Sequence, residues 1–279
     1  MTNMEEGVAP ARRHALETLF GRRRVAIGVV HCLALPGSPA YAGATVDEIC
    51  DRAVADAVAY EQGGIHGLIV ENHGDIPFLK PDDVGHETAA MMAVITDRLR
   101  REVALPIGIN VLANAALTAL AVAKASEARF IRVNEWVNAY VANEGLIEGP
   151  AAKAMRYRSW LHAQEVAIFA DVHVKHGAHA IVGDRTIAEL TRDLEFFDAD
   201  VVIVTGQRTG DAASAQEVQE VRAATTLPLL IGSGVTKENV GALMDVADGV
   251  IIGSSLKEGG VWWHSVEVER VKAFMTSFG

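Results

Sequence analysis

Val25-Ala26-Ile27-Gly28-Val29-Val30-His31, the helix-compatible stretch 46–62 that ends at Gly63-Gly64, and Gly67-Leu68-Ile69-Val70-Glu71 make one strand–helix–strand unit, whose repetition decides the fold. Short apolar runs recur at 25–30, 67–71, 107–111, 130–133, 166–171, 201–204, 229–231 and 249–252. Helix-compatible segments stand between and after them at 46–62, 87–101, 113–123, 150–163, 187–197, 215–224, 237–246 and 264–278. The strands are almost wholly apolar, as when helices cover a parallel sheet on both faces. Eight such units in 279 residues predict an α/β fold, a single (β/α)8 TIM barrel over 1–279 with 1–22 as a helical or irregular extension. Periodicity fixes the alternation but not the closure, so a doubly wound open sheet is the alternative.

Composition narrows the function classes. Half the residues are hydrophobic, enough for a sizeable core, and the net charge of −11 argues against a broad nucleic-acid surface. The run Arg22-Arg23-Arg24 precedes a strand and reads as a solvated entry to it. Two cysteines, Cys32 and Cys50, form no disulfide framework or CxxC pair, which fits a reducing cytoplasm. Residues 1–15 lack the apolar segment of a signal peptide and no apolar run approaches a membrane span, so neither export nor membrane insertion is expected.

In such barrels the working residues stand at the carboxyl ends of the strands. There the sequence places His31, then Glu71, Asn72, His73 and Asp75, then Asn110, Asn134 and Glu135, then Asp171, His173, Lys175 and His176. His31, Glu71, Asp171, His173 and Lys175 are the candidate catalytic groups, and Asn72, Asn110 and Asn134 the candidate hydroxyl-binding groups. Asp171-Val172-His173-Val174-Lys175 alternates, so an extended strand would turn its three polar side chains to one face; an internal ion pair would satisfy them without catalysis.

The later strands end in Thr205-Gly206, Gly232-Ser233-Gly234 and Gly253-Ser254-Ser255. Two consecutive Gly/Ser turns, each expected to open towards a helix, read as a phosphate cradle, in which backbone N–H groups, hydroxyls and helix termini meet an anion. The sequence contains no GxSxG elbow, P-loop, HExxH or Rossmann fingerprint. No cofactor is expected. A divalent metal would need His31, Glu71, Asp171 and His173 to converge, and their spacing alone assigns none. Val261-Trp262-Trp263 reads either as aromatic surface for a second copy of the chain or as packing under the helical ring.

These motifs together resemble the BtpA family, which includes SgcQ-like proteins. The resemblance is carried by Ile27-Gly28-Val29-Val30-His31 with Leu35-Pro36-Gly37-Ser38-Pro39, by Gly67 to Asn72 with Gly74-Asp75, by Phe130-Ile131-Arg132-Val133-Asn134 and by Gly145-Leu146-Ile147-Glu148-Gly149. It continues through Arg156-Tyr157-Arg158, Ile168 to His176, Gly232 to Thr236 and Gly249 to Lys257, and departs from the usual pattern at Cys32-Leu33-Ala34. It implies a barrel related to the ribulose-phosphate-binding group. The family takes its name from photosystem I biogenesis in cyanobacteria, while SgcQ-like members are associated with bacterial carbohydrate-use gene sets. Two functions are therefore expected to compete: an enzyme acting on a phosphorylated sugar or nucleotide-like molecule by lyase, isomerase or glycosidic-bond chemistry, and a non-catalytic assembly factor for a membrane complex. An open polar mouth would favour the first, a plugged mouth with an exposed apolar patch the second.

Overall fold

A computed structural model describes residues 14–206 and 214–279; residues 1–13 of the expected N-terminal extension lie outside it. The strands are β1 (Val25–His31), β2 (Gly67–Glu71), β3 (Ile107–Asn110), β4 (Phe130–Val133), β5 (Ala139–Ala142), β6 (Gly145–Glu148), β7 (Ala167–His173), β8 (Val201–Thr205), β9 (Leu229–Gly232) and β10 (Gly249–Ile252). Eight of them close into a barrel in the order β1-β10-β9-β8-β7-β4-β3-β2, each pair parallel, and β5 and β6 form a separate antiparallel hairpin. The closing pair aligns Val25 with Gly249 and Gly28 with Ile252, which rules out the open sheet.

The helices are α1 (Ala15–Phe20), α2 (Val46–Gly63), α3 (His86–Glu102), α4 (Ala116–Ser126), α5 (Ala151–Trp160), α6 (Ile187–Phe196), α7 (Ala215–Ala224), α8 (Val240–Leu243) and α9 (Val268–Phe278). Local chemistry sets several boundaries. Thr45 with Glu48 and Thr186 with Glu189 close capping boxes on α2 and α6, and Gly64 takes the left-handed turn that ends α2. The helix expected over 237–246 shrinks to the four residues of α8. Its would-be first turn is diverted, because the Asn239 amide accepts from the Thr236 backbone N–H at 2.8 Å and donates to the Gly234 carbonyl at 2.8 Å. The β5–β6 hairpin is an addition that strand periodicity did not reveal. Among the described residues no helix is long and apolar enough to cross a membrane.

Two apolar layers hold the fold. One lies between strands and helices. The other fills the barrel interior with Val25, Ile27, Val29, Ile69, Phe130, Phe169, Val201, Ile203, Leu230 and Ile251, and Leu16 with Phe20 of α1 packs against it. The stacked Phe130 and Phe169 rings, 4.3 Å apart, fit because β3 carries Gly108 beside them. A Cβ at Gly108 would stand 2.2 Å from the Phe130 ring. A Gly108→Ala variant is therefore expected to lose about 1–3 kcal/mol of stability through overpacking, measured by chemical denaturation.

Candidate active site

Side chains two residues beyond the interior layer share its inward direction. Val29 is thus followed by His31, Ile69 by Glu71, Gly108 by Asn110, Phe130 by Arg132, Phe169 by Asp171 and Ile203 by Thr205. The barrel register aligns His31 with Glu71 and Glu71 with Asn110. A polar tier consequently sits on an apolar plug, at the mouth where the strands end.

Glu71 is the hub of one side. Its carboxylate accepts from Asn110 Nδ2 at 2.6 Å and lies 2.9 Å from His73 Nδ1, with His31 Nε2 3.9 Å away. Burial opposes its charge, but the His73 hydrogen bond and the positive charge of Arg132 prevail and hold the carboxyl well below the usual carboxylate range. Burial also drops the His31 imidazole to about 3, only partly offset by the Glu71 charge, so it is neutral near pH 7. The Trp262 carbonyl lies 2.9 Å from His31 Nδ1, and the Trp262 ring packs 4.4 Å from that of His73. Trp262 therefore belongs to the site, whereas Trp263 is 58 % exposed.

On the opposite side Arg132 clamps Asp171 with two hydrogen bonds, Nε to Oδ1 at 3.0 Å and Nη2 to Oδ2 at 2.9 Å, both residues buried. Asp171 is thus tied up as an internal counter-ion rather than free as a base. Lys175 reaches the mouth and donates from Nζ to Ser233 Oγ at 2.8 Å. Burial, helped by the Arg132 charge and opposed by Glu71 and Asp171, lowers its ammonium to about 8.

The shared face expected for Asp171, His173 and Lys175 does not hold at His173. Between Asp171 and His173 the β7–β8 register slips by one residue, a bulge that resets the alternation. His173 turns away from the mouth to Glu217 of α7, with Nδ1 3.1 Å from the carboxylate, and its ring lies 3.9 Å from that of His179. Asn72 is also withdrawn: its amide bonds the Leu112 backbone N–H at 2.7 Å and Asp75 at 3.0 Å, bracing one loop against the next.

The mouth holds a cleft with two lobes that share Glu71, His73, Arg132, Lys175 and Trp262. The first, about 270 Å³, is walled by Ser233, Gly234, Val235, Thr236, Gly253, Ser254 and Ser255. The second, about 410 Å³, is walled by Asn110, Asn134, Phe78, Tyr140 and His176, among others. Both asparagines use their Nδ2 on carboxylates, and their Oδ1 atoms are buried without a hydrogen-bond partner among the described residues. Unmet buried acceptors beside a cleft suit the hydroxyls of a ligand.

The Gly/Ser turns stand together as expected, with a different construction. Ser255 Oγ donates to the Val235 carbonyl at 2.8 Å and ties the two turns to each other. Ser233 and Gly234 both adopt the left-handed conformation, with φ of 73° and 64°. Neither turn runs directly into an α-helix, since α8 starts only at Val240 and Ser254–Leu256 is a single 3-10 turn. The expected helix-terminus contribution is therefore absent at these two turns, and Lys175 and Arg132 are cations that wall the lobe beside them. Thr205, Gly206 and Gly232 are not among the residues that wall the lobe. Thr205 Oγ1 instead accepts from the Lys175 backbone N–H at 3.0 Å and donates to the His173 carbonyl at 3.1 Å, fixing the strand end that presents Lys175.

Sequence reasoning missed Arg132, His73 as a partner of Glu71, Asn239 and Trp262. The period-2 step from Phe130 would have found Arg132. No local signal points to the Trp262 carbonyl, 231 residues from His31.

The profile of the BtpA family matches residues 22–278. The chain is 43% identical to an uncharacterized protein of Archaeoglobus fulgidus, over 89% of this chain and 96% of that protein. It is 40% identical to the photosystem I biogenesis protein BtpA of Synechocystis, over 92% and 88% of the two chains. Among solved structures it resembles the (S)-3-O-geranylgeranylglyceryl phosphate synthase of Thermoplasma acidophilum in complex with sn-glycerol-1-phosphate, with a TM-score of 0.59, 15% identity and 96% and 99% of the chains covered. It also resembles the N-(5'-phosphoribosyl)anthranilate isomerase of Pyrococcus furiosus, with a TM-score of 0.57, 10% identity and 91% and 98% covered. Likeness at such identities speaks for the fold alone.

Proposed function

The chain belongs to the BtpA family, and from the chemistry of its cleft we propose an enzyme that acts on a phosphorylated sugar or nucleotide-like small molecule. One observation carries this reading: Lys175 lines both lobes, with its ammonium on Ser233 of the first. The Ser233–Thr236 and Gly253–Ser255 turns hold the phosphate. Asn110 and Asn134 accept hydrogen bonds through Oδ1 from hydroxyls on the rest of the substrate, which places its reacting carbons over Glu71, His31 and Lys175. Glu71, held below the usual carboxylate range by its His73 hydrogen bond, serves as a fixed negative charge. Lys175, brought near neutrality, is the group suited to move a proton or to activate a carbonyl, in lyase, isomerase or glycosidic-bond chemistry. The neighbour solved with sn-glycerol-1-phosphate holds a phosphorylated small molecule on the same fold, which supports the reading.

A second reading, an assembly factor for a membrane complex, is favoured by the name of the Synechocystis relative. Exposed Trp160 and Phe196, the latter 82 % exposed, are what a partner would touch. A cleft whose wall carries Glu71, His73, Arg132, Lys175 and the serines of the two turns supports the enzyme first.

Thermal-shift screening against inorganic phosphate, pentose and hexose phosphates and nucleoside monophosphates separates the two. Saturable stabilisation by one class is expected, about 2.7 kcal/mol at a hundredfold excess over Kd, and Ser254→Asp should remove it by placing a negative charge in the cradle. No shift with any anion would overturn the phosphate cradle and move the assembly reading to first place.

A further inference from the structure

The His31–Glu71–His73 corner of the mouth brings two imidazoles and a carboxylate together. A carbonyl only accepts, so the 2.9 Å contact with Trp262 O places the His31 hydrogen on Nδ1. His31 Nε2 faces Glu71 Oε1, a carboxylate oxygen, across 3.9 Å. That gap is too long for a hydrogen bond and leaves space between a ring nitrogen and a carboxylate oxygen at the wall of the cleft. His73 Nδ1 lies 2.9 Å from the same oxygen, and one ligand atom from each of the three residues lies within 4.8 Å of the others.

We propose that His31 Nε2, the Glu71 carboxylate and His73 bind a divalent ion of the zinc, cobalt or manganese class. Two imidazoles and one carboxylate suit such ions better than magnesium or calcium, which take oxygen ligands. The surroundings are those of a ligand shell. Trp262 O fixes the His31 tautomer, and Asn110 Nδ2 orients Glu71 through its other oxygen at 2.6 Å. On binding, His73 moves its hydrogen to Nε2 and offers Nδ1, exchanging its hydrogen bond for a bond to the ion. Three protein ligands leave positions open towards the cleft, where the ion acts as a Lewis acid on a substrate oxygen. That use rests on the phosphorylated-substrate reading; the binding of the ion does not.

The test titrates chelator-treated protein with Co2+ alone, following the visible absorption of the bound ion, and with Zn2+, Mn2+ and Mg2+ by calorimetry. One equivalent of Co2+ is expected, with Mg2+ far weaker. His73→Ala, on a turn outside the barrel strands, and Glu71→Gln should each weaken binding about 100-fold or more, and Asn110→Ala about 10-fold. His173→Ala should bind as wild type, since His173 turns away from the mouth to Glu217. The Co2+ titration contains no phosphate, so a failed phosphate screen and a failed ion site read differently. Absence of saturable binding, unchanged affinity in His73→Ala, or loss confined to His173→Ala would overturn the proposal.

Discussion

An Arg132→Met variant is expected to lose about 3–5 kcal/mol of unfolding free energy, because it strands the Asp171 carboxylate inside the barrel without its partner. Asp171 is 1 % exposed and Arg132 6 %, and the pair is bidentate, so the carboxylate loses two charge-assisted hydrogen bonds at once. The nearest alternative donors are Asn134 Nδ2, at a long 3.4 Å from Asp171 Oδ2, and Lys175. Pairing Arg132→Met with Asp171→Leu should recover most of the loss, since a buried ion pair exchanged for apolar side chains of similar volume is close to neutral. Urea unfolding of the two single variants and the double variant measures the coupling. A single-variant loss under about 1 kcal/mol would show that the barrel does not depend on the pair.

The Lys175 charge is expected to control phosphate affinity with a midpoint near pH 8. Lys175 binds an anion as the ammonium, so affinity should be full below pH 8 and fall above it. Phosphate monoesters are already dianionic above about pH 7.5, which leaves the lysine as the titrating partner. A hydrogen bond to a charged group contributes about 1.5–3 kcal/mol, so Lys175→Met should weaken binding roughly 10- to 100-fold at pH 7 and flatten the profile. The groups that face Lys175 predict a second shift. Arg132 pushes the ammonium down while Glu71 and Asp171 hold it up, so Arg132→Met, if folded, should move the midpoint upward. Calorimetric titration of the sugar phosphate found by thermal shift, from pH 7 to 10, reads both. A pH-independent wild type would remove Lys175 from the cradle.

Much of the site was legible in the strands themselves. Once Val29, Ile69, Phe130 and Phe169 face inward, the residues two further on must share that direction, which delivers His31, Glu71, Arg132 and Asp171 to one tier. The reading faltered where alternation is interrupted. His173 follows the period on paper, but one extra residue against β8 sends it to the helix ring. Helix 237–246 failed for a related reason, since Asn239 bonds the cradle turn instead of capping a regular helix.

The sequence by itself determined the alternation of strands and helices, the apolar plug and the polar ends above it, because these depend on periodicities of two and 3.6 residues that each segment carries locally. Tertiary structure alone decided barrel closure, the Arg132–Asp171 clamp, the outward turn of His173 and the Trp262 carbonyl on His31. Each of these is a contact between segments far apart in the chain, and its geometry is set by register and packing, which local periodicity does not encode.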